Sequence, residues 1–257
     1  MKIIITLLAV SMLFAACEPK TEKPTISEET EQKIDSLLKL MTLEEKIGQL
    51  NQFTSQWEMT GPAPENMDTM FIYNMIKNGQ LGSMLNVTGV KAAQKVQRWA
   101  VDSSRLGIPL ILAYDVIHGY RTMFPIPLGE AASWDPDMAK LSSQVAATEA
   151  SAAGLHWTFA PMVDISRDAR WGRVMEGSGE DPYLGSKMAY ARVKGFQGEN
   201  LSAQNTIAAC AKHFAAYGLA EAGRDYNSVD VGEPTLRNVI FPPFKACIDA
   251  GVATFMN

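Results

Sequence analysis

The sequence predicts an α/β fold built like a (β/α)8 TIM-like barrel, of which about the first five or six strands are present. Apolar runs of strand length alternate along the chain with helical segments. Such alternation indicates a mostly parallel sheet with crossover helices, either doubly wound or closed as a barrel. No G-x-G-x-x-G or Walker A sequence follows the first strands. Polar residues instead gather after several different strands, which favours the barrel.

The first elements are two helical stretches. Apolar residues recur at helical spacing between Ser27 and Met41, and Thr42-Leu-Glu-Glu45 forms a capping box that opens the second stretch. Farther along, Asp135-Pro136 and Asp181-Pro182 each begin a helix, because Asp accepts the unpaired N–H groups of a first turn and proline has no N–H to satisfy.

Apolar and β-branched runs predict the strands between these helices. The predicted strands are residues 81–87, 108–117, 156–165, 206–214 and 252–256, with a sixth candidate at 47–53. A closed barrel of this type has eight strands. We therefore expect an incomplete barrel domain over residues 27–257, and a chain that stops at the end of a strand.

Composition and charge narrow the function classes. The chain has 257 residues, of which 47% are hydrophobic and 20% charged, as in a globular protein with a sizeable core. The net charge is -5 and no Lys/Arg cluster is present, so nucleic acid is not an expected partner. A mildly acidic surface suits a neutral substrate.

The first residues predict export. Lys2, the apolar run 3–14 and Ala15-Ala16 read as a signal peptide over residues 1–16, too short to span a membrane as a mature helix. Cys17 then resembles a lipidation site, followed by a tether over residues 17–26. A periplasmic or outer-membrane lipoprotein and a plainly secreted protein both remain open, and membrane contact is expected only through a lipid on Cys17. Cys210 and Cys247 are expected to be small buried hydrophobic residues rather than a disulfide.

Polar side chains follow four predicted strands. They are Asp115 with His118, the stretch from Arg167 to Arg173, Lys212 with His213, and Asn257. Each alone has a structural explanation, such as a helix cap, a surface ion pair of an arginine with Glu176, Glu180 or Asp181, or a core histidine. Together on the C-terminal rim of a barrel they would form one pocket. Such a pocket offers charge-assisted hydrogen bonds to a neutral, hydroxyl-rich ligand such as a sugar.

Neither a metal ion nor a cofactor is predicted. The three histidines, His118, His156 and His213, are widely separated and lack a paired spacing such as H-x-x-x-H.

Seven motifs occur in an order that resembles glycoside hydrolase family 3, in its bacterial periplasmic β-glucosidase branch. They are Met-Thr-Leu-Glu-Glu-Lys-Ile-Gly-Gln (41–49), Tyr-Asp-Val-Ile-His-Gly (114–119), Phe-Pro-Ile-Pro-Leu-Gly (124–129), Phe-Ala-Pro-Met-Val-Asp (159–164), Arg-Asp-Ala-Arg-Trp-Gly-Arg (167–173), Gly-Glu-Asp-Pro-Tyr-Leu (179–184) and Ala-Lys-His-Phe (211–214).

The resemblance implies hydrolysis of terminal non-reducing β-D-glucosyl residues with retention of configuration. Asp115, Arg167, Lys212 and His213 would bind the terminal sugar, and Met256 would lie near the pocket wall. The family's nucleophile sits in a Ser-Asp-Trp type motif, and its acid/base glutamate in a second, α/β-sandwich domain. Neither occurs before Asn257, so we expect this chain to contain no catalytic residue, to lack the second domain and to act only as part of a longer enzyme.

The resemblance also ranks the substrates. The hexosaminidase branch carries a second histidine shortly after Lys-His-Phe, whereas this chain has Ala-Ala-Tyr-Gly at 215–218. Family xylosidases tend to have Glu in place of Asp115, so a glucoside or β-linked gluco-oligosaccharide is preferred and a β-xyloside is the alternative. Two other hypotheses remain: a sugar-binding or scaffold lipoprotein without activity, and an aldolase that uses Lys212 to form a Schiff base. The scaffold would leave an unpaired sheet edge exposed.

Overall fold

The computed structural model describes residues 27–55 and 69–257. The predicted signal peptide and tether, including Cys17, lie outside the described residues. The chain divides into two compact units. The described part of the first unit, which ends at Leu40, is helix α1, Glu28–Leu40. The second unit begins at Met41, later than the predicted domain start at residue 27, and runs to Asn257.

Strands and helices alternate through the described part of the second unit. They are α2 Leu43–Gln49, β1 Gln52–Thr54, α3 Thr69–Lys77, β2 Ser83–Leu85, α4 Val90–Arg98, β3 Ile111–Tyr114, α5 Pro127–Ala131, α6 Pro136–Ala152, β4 Trp157–Thr158, α7 Pro182–Gln197, β5 Cys210–Lys212, α8 Glu233–Thr235, α9 Phe241–Asp249 and β6 Thr254–Met256. This order confirms the predicted α/β class.

The strands are parallel and lie in chain order. Strands β1 to β4 form one sheet in the order β1-β2-β3-β4, and β5 pairs with β6 in a second. Parallel bridges from Trp157 to Ala208 and from Met162 to Lys212 connect the two sheets. The arrangement of six consecutive parallel strands with intervening helices is that of a TIM-barrel-like fold.

The predicted helix starts are confirmed. The Asp135 side chain accepts hydrogen bonds from the backbone N–H groups of Asp137 and Met138, and that of Asp181 accepts one from Leu184. At α2, the Thr42 side chain accepts from the Glu45 backbone, and the Glu45 side chain accepts from the Thr42 backbone. These caps satisfy N–H groups that have no partner within the helix.

The strand predicted at 47–53 is wrong at its start. Ile47 lies in helix α2, and β1 spans only Gln52–Thr54. The capping box at Thr42 carries the helix through Ile47, whose side chain is exposed. The other strands are shorter than the predicted runs, because their flanking residues lie in loops of the barrel ends.

Two apolar clusters lie on opposite faces of the sheet, since successive strand residues point to opposite sides. Met84 and Leu112 pack in a large cluster with residues of helices α4, α6, α7 and α9. The following residues, Leu85 and Ala113, pack in a smaller cluster. Its other members are Trp157, Phe159, Cys210 and Met256. The sheet is therefore buried on the face that the helices cover, and apolar side chains also line its other face.

The two described cysteines behave as the sequence predicts. Cys210 and Cys247 are free thiols, and both are buried. Within residues 27–55 and 69–257, no helix has the length and apolar character needed to cross a membrane.

Candidate functional site

A cluster of charged residues lies where β3, β5 and the segment after β4 end. Asp115 follows the last residue of β3, and Lys212 is the last residue of β5. Asp164 lies in the segment after β4, which joins β5 through the bridge of Met162 to Lys212. Because the carboxyl ends of parallel strands meet at one rim, residues far apart in sequence come together here.

Asp115 and Lys212 form an ion pair across the rim. The Lys212 Nζ atom donates a hydrogen bond to Oδ1 of Asp115 at 2.9 Å. The Lys212 side chain is 4% exposed and that of Asp115 is 22% exposed. The pair therefore presents a carboxylate and an ammonium group at the edge of solvent, an acceptor and a donor side by side.

A buried carboxylate contacts both the backbone and the ring of His213. The Oδ2 atom of Asp164 accepts the backbone N–H of His213 at 2.9 Å and lies 2.9 Å from its Nδ1 atom. The Asp164 side chain is 0% exposed, whereas that of His213 is 15% exposed. The ring is thus fixed on its inner side and reaches solvent on the other.

An arginine approaches the other nitrogen of this ring. The Nη1 atom of Arg173 lies 3.4 Å from His213 Nε2. Nε and Nη2 of Arg173 donate to the two carboxylate oxygens of Glu176, at 2.6 and 2.8 Å. This bidentate pair fixes the guanidinium plane and leaves Nη1 to face the histidine.

The Arg173–Glu176 pair changes the pKa of both groups. Burial disfavours the Glu176 carboxylate, but the hydrogen bonds and charge of Arg173, with the charge of Lys212, lower its pKa overall. The hydrogen bonds from Arg173 to Glu176 raise the pKa of the arginine. Both groups are therefore charged at neutral pH.

Aromatic residues wall the outer side of His213. The ring of Tyr217 packs edge-on against His213 at 4.9 Å between centroids and against Trp171 at 5.1 Å. Oδ1 of Asp225 accepts hydrogen bonds from Trp171 Nε1, at 2.9 Å, and from the Tyr217 hydroxyl. Burial and the hydrogen bond to Asp225 raise the pKa of Tyr217. Its hydroxyl therefore stays protonated and donates to Asp225.

The structure brings together three of the five residues predicted to bind substrate, namely Asp115, Lys212 and His213. Met256 lies beside Lys212 in the register of β5 and β6 and packs in the inner apolar cluster. Arg167 is exposed and lines a surface groove with Arg170 and residues 218–222. Within the described chain its side chain makes no hydrogen bond or ion pair, so its role as a sugar ligand stays a prediction.

Asp164 and Glu176 were not predicted as site residues, and Arg173 was predicted only as part of the polar stretch 167–173 on the rim. Asp164 is the second-last residue of the run predicted as a strand, so the strand-end rule that selected Asp115 also applied to it. Arg173 closes the motif of which only Arg167 was assigned to the sugar. His118 is held in its own loop, where its Nδ1 atom lies 3.1 Å from the carbonyl oxygen of Phe124.

The arrangement is suited to recognising hydroxyl groups. The rim presents carboxylates, which accept hydrogen bonds, beside an ammonium and a guanidinium group, which donate them, and an imidazole. A sugar hydroxyl both donates and accepts hydrogen bonds. Among residues 27–55 and 69–257, no three His, Cys, Asp or Glu side chains are placed to hold a metal ion together.

The fold defines this chain as a member of the TIM-barrel-like class of α/β proteins. Residues 42–257 match the model of the glycosyl hydrolase family 3 N terminal domain. The chain belongs to glycoside hydrolase family 3.

Relatives and solved structures agree with this family. The chain is 44% identical over 223 residues to a periplasmic beta-glucosidase of Salmonella typhimurium, covering 87% of this chain and 28% of the relative. It is 33% identical over 238 residues to a beta-xylosidase of Formosa agariphila, covering 91% of this chain and 28% of the relative.

A beta-glucosidase from Listeria innocua, solved in complex with isofagomine, superposes with a TM-score of 0.79 at 41% identity, over 90% of this chain and 32% of that one. A mutant of the Listeria enzyme was solved in complex with laminaribiose. The chain thus spans about a third or less of the length of these proteins.

Proposed function

We propose that this chain supplies the sugar-binding part of a retaining β-glucosidase that releases terminal non-reducing β-D-glucosyl residues. The observation that carries the proposal is the Asp115–Lys212 pair beside His213, at the strand-end rim of a family 3 barrel domain. These three side chains offer the donors and acceptors that adjacent hydroxyls of one sugar ring require.

A β-linked glucoside or gluco-oligosaccharide is the proposed substrate. The similar Salmonella and Listeria proteins are beta-glucosidases, and the Listeria structures contain isofagomine or laminaribiose. A β-xyloside is the alternative, because a Formosa beta-xylosidase is also similar. Asp115, the shorter carboxylate, favours the hexose, whose hydroxymethyl group needs room.

The two catalytic carboxyl groups are proposed to come from residues beyond those in this chain. A retaining glycosidase needs two carboxyl groups about 5 Å apart across the scissile bond. The three rim carboxylates are each engaged with a neighbour, Asp115 with Lys212, Asp164 with His213 and Glu176 with Arg173. This supports a binding role for the rim. The nucleophile and acid/base are expected on a later strand and in a second α/β-sandwich domain.

The same pairing bears on the alternatives. An aldolase lysine has to attack a carbonyl with a free amine, whereas Lys212 is buried and bonded to Asp115, which favours the binding role.

We further propose that the chain is exported. Residues 1–16 have the charged start, apolar run and small residues of a signal peptide, and the similar Salmonella protein is called periplasmic. Lipidation of Cys17 is proposed as the means of attachment, and labelling cells with a radioactive fatty acid, with Cys17→Ser as control, tests it.

A chimeric enzyme tests the proposed activity. Residues 42–257 would replace the matching segment of the Salmonella enzyme, and hydrolysis of the 4-nitrophenyl β-D-glucoside and β-D-xyloside would be measured. We expect the glucoside to be preferred, and the 257-residue chain alone to be inactive. Asp115→Asn and Lys212→Met should each lower kcat/KM by roughly 10- to 100-fold, as expected for a lost charge-assisted hydrogen bond.

The control variant is Glu233→Gln, which alters an exposed ion pair with Arg237 and not the rim. A folded chimera that hydrolyses neither glycoside, or one that is unaffected by Asp115→Asn and Lys212→Met, would refute the proposal. Preference for the xyloside would support the alternative substrate.

A further inference from the structure

We propose that Asp164 is a positioning residue that keeps the ring proton of His213 on Nδ1, so that the Nε2 lone pair faces the pocket as a hydrogen-bond acceptor. The acceptor would take a hydroxyl of the substrate, and in this respect the inference rests on the proposed function. The assignment of the proton itself follows from the contacts of Asp164, His213 and Arg173.

The contact of Nδ1 with Asp164 fixes the position of the His213 ring proton. Oδ2 of Asp164 already accepts the backbone N–H of His213, at 2.9 Å, and lies 2.9 Å from Nδ1. A carboxylate oxygen only accepts, so Nδ1 must carry a proton to bond with it. The Asp164 side chain is fully buried and its other oxygen makes no hydrogen bond within the described chain. Its hydrogen bonding is therefore devoted to His213.

The contact of Nε2 with Arg173 disfavours a second proton on the His213 ring. Nη1 of Arg173 lies 3.4 Å from Nε2, and a guanidinium group can only donate. A proton on Nε2 would set two donors and two positive charges against each other. Glu176 holds two other nitrogens of Arg173, which keeps the guanidinium from turning away. With the ring proton on Nδ1, Nε2 faces Arg173 as an acceptor.

The 3.4 Å contact is long for a hydrogen bond. A substrate hydroxyl can therefore compete with Arg173 for the lone pair of Nε2, or lie between them and bond to both. The neighbouring Lys212 ammonium group supplies donors. With the opposite tautomer the rim would present only donors at this point and would lose an acceptor for a sugar hydroxyl.

The other two histidines provide internal standards. The backbone N–H of Leu112 donates to Nδ1 of His156 at 3.0 Å, so a neutral His156 must carry its proton on Nε2. Burial lowers the pKa of His156, which keeps it neutral at pH 7. In His118, Nδ1 lies 3.1 Å from the Phe124 carbonyl oxygen, an acceptor, and the proton is expected on Nδ1. The chain contains three histidines in all.

The experiment is a long-range proton–nitrogen correlation spectrum of the 257-residue chain labelled with 15N-histidine, recorded at pH 7. This spectrum distinguishes a neutral ring protonated on Nδ1, a neutral ring protonated on Nε2 and a doubly protonated ring. The His213→Gln variant assigns the signal. We expect His213 in the Nδ1–H form and His156 in the Nε2–H form. A His213 ring with its proton on Nε2, or doubly protonated, would overturn the proposal.

Two variants of the same shape assign the cause to Asp164. Asp164→Asn keeps an oxygen that accepts from the backbone and from Nδ1, so the Nδ1–H form should persist. Asp164→Leu removes the acceptor, and the ring proton should move to Nε2 in most molecules. A folded Asp164→Leu chain that retains the Nδ1–H form would overturn the role of Asp164. If Asp164→Leu does not fold, the spectra of the unaltered chain and of Asp164→Asn still decide the tautomer.

The activity of the chimera separates this inference from the proposed function. With Asp164→Asn, the KM for the glucoside should stay within a few-fold, and with Asp164→Leu it should rise by roughly 10-fold or more, as for a lost hydrogen bond. An inactive chimera with His213 in the expected tautomer would refute the proposed function alone. An active chimera with His213 protonated on Nε2 would refute this inference alone.

Discussion

The Nζ atom of Lys212 lies 2.9 Å from Oδ1 of Asp115, although the two residues are 97 positions apart in the chain. One residue ends strand β5 and the other follows strand β3. Their contact depends on the parallel sheet that brings both strand ends to one rim. The pair therefore reports on both the fold and the site.

Replacing Lys212 with Met should destabilise the chain by about 1–3 kcal/mol, the usual cost of removing a hydrogen-bond donor from a partly buried polar group. Asp115 stays 22% exposed, and water offsets part of the loss. In the double variant Asp115→Asn with Lys212→Met, the carboxylate charge that Lys212 balanced is also removed, and part of the stability should return. Urea unfolding of the single and double variants measures this. Strictly additive losses would mean that the two groups do not interact.

Acid should weaken the site through Glu176, whose usual pKa of 4.5 is lowered in the folded chain. A carboxyl group with a lowered folded pKa contributes stability above its unfolded pKa, and this stability is lost as the pH falls through the folded pKa. We expect the free energy of unfolding to fall from about pH 5 downward, and more gently in Glu176→Gln. Urea midpoints between about pH 6 and pH 3 measure the difference.

The matched control for this pH series is Glu233→Gln. Glu233 and Arg237 are 70% and 68% exposed, and such surface pairs contribute little. The stability of the Glu233→Gln variant should therefore depend on pH in the same way as that of the unaltered chain. An unchanged profile in Glu176→Gln as well would show that the Arg173–Glu176 pair does not carry the acid sensitivity.

The parts of the fold set by local chemistry could be predicted from the sequence. Asp135 and Asp181 cap helices because their side chains reach N–H groups two or three residues ahead, a contact that sequence alone defines. Helix α9, which contains Pro242-Pro243, was not among the predicted helices. Both prolines lie in its first turn, where no intrahelical N–H is needed.

The rim was predictable only in outline. The rule that strand ends share one edge placed Asp115, Lys212 and His213 together, and the structure confirms that placement. It could not choose between Arg167 and Arg173, because the path of that loop depends on distant contacts. The bond from Trp171 to Asp225, 54 positions away, fixes the loop, and no local pattern in the sequence predicts it.

Gly195 should be intolerant of a side chain because helices α6 and α7 pack closely there. A Cβ atom at Gly195 would lie 2.4 Å from the Lys140 carbonyl oxygen and 2.6 Å from the Ser143 Cβ. Overpacking of this kind costs about 1–3 kcal/mol, more than the roughly 1 kcal/mol that alanine gains over glycine in a helix. Gly195→Ala should therefore lower the urea midpoint.

Gly129→Ala is the matched control, since Gly129 also lies in a helix and a Cβ atom there would meet its nearest neighbour at 3.6 Å, an ordinary contact. This variant should be neutral or slightly more stable. Equal midpoints for the two alanine variants would mean that α6 and α7 are spaced farther apart in solution.

The buried cysteines should resist thiol reagents in the folded chain. Burial raises the pKa of Cys247 to about 12 and also raises that of Cys210, and the thiolate is the reactive form. In a Cys17→Ser chain, we expect Ellman's reagent to label no thiol at pH 7.5 under native conditions and two in denaturant. Over longer times, native labelling should be no faster than the opening of the structure that exposes each thiol. Prompt labelling of either cysteine in a chain that is folded by circular dichroism would contradict the burial of that thiol.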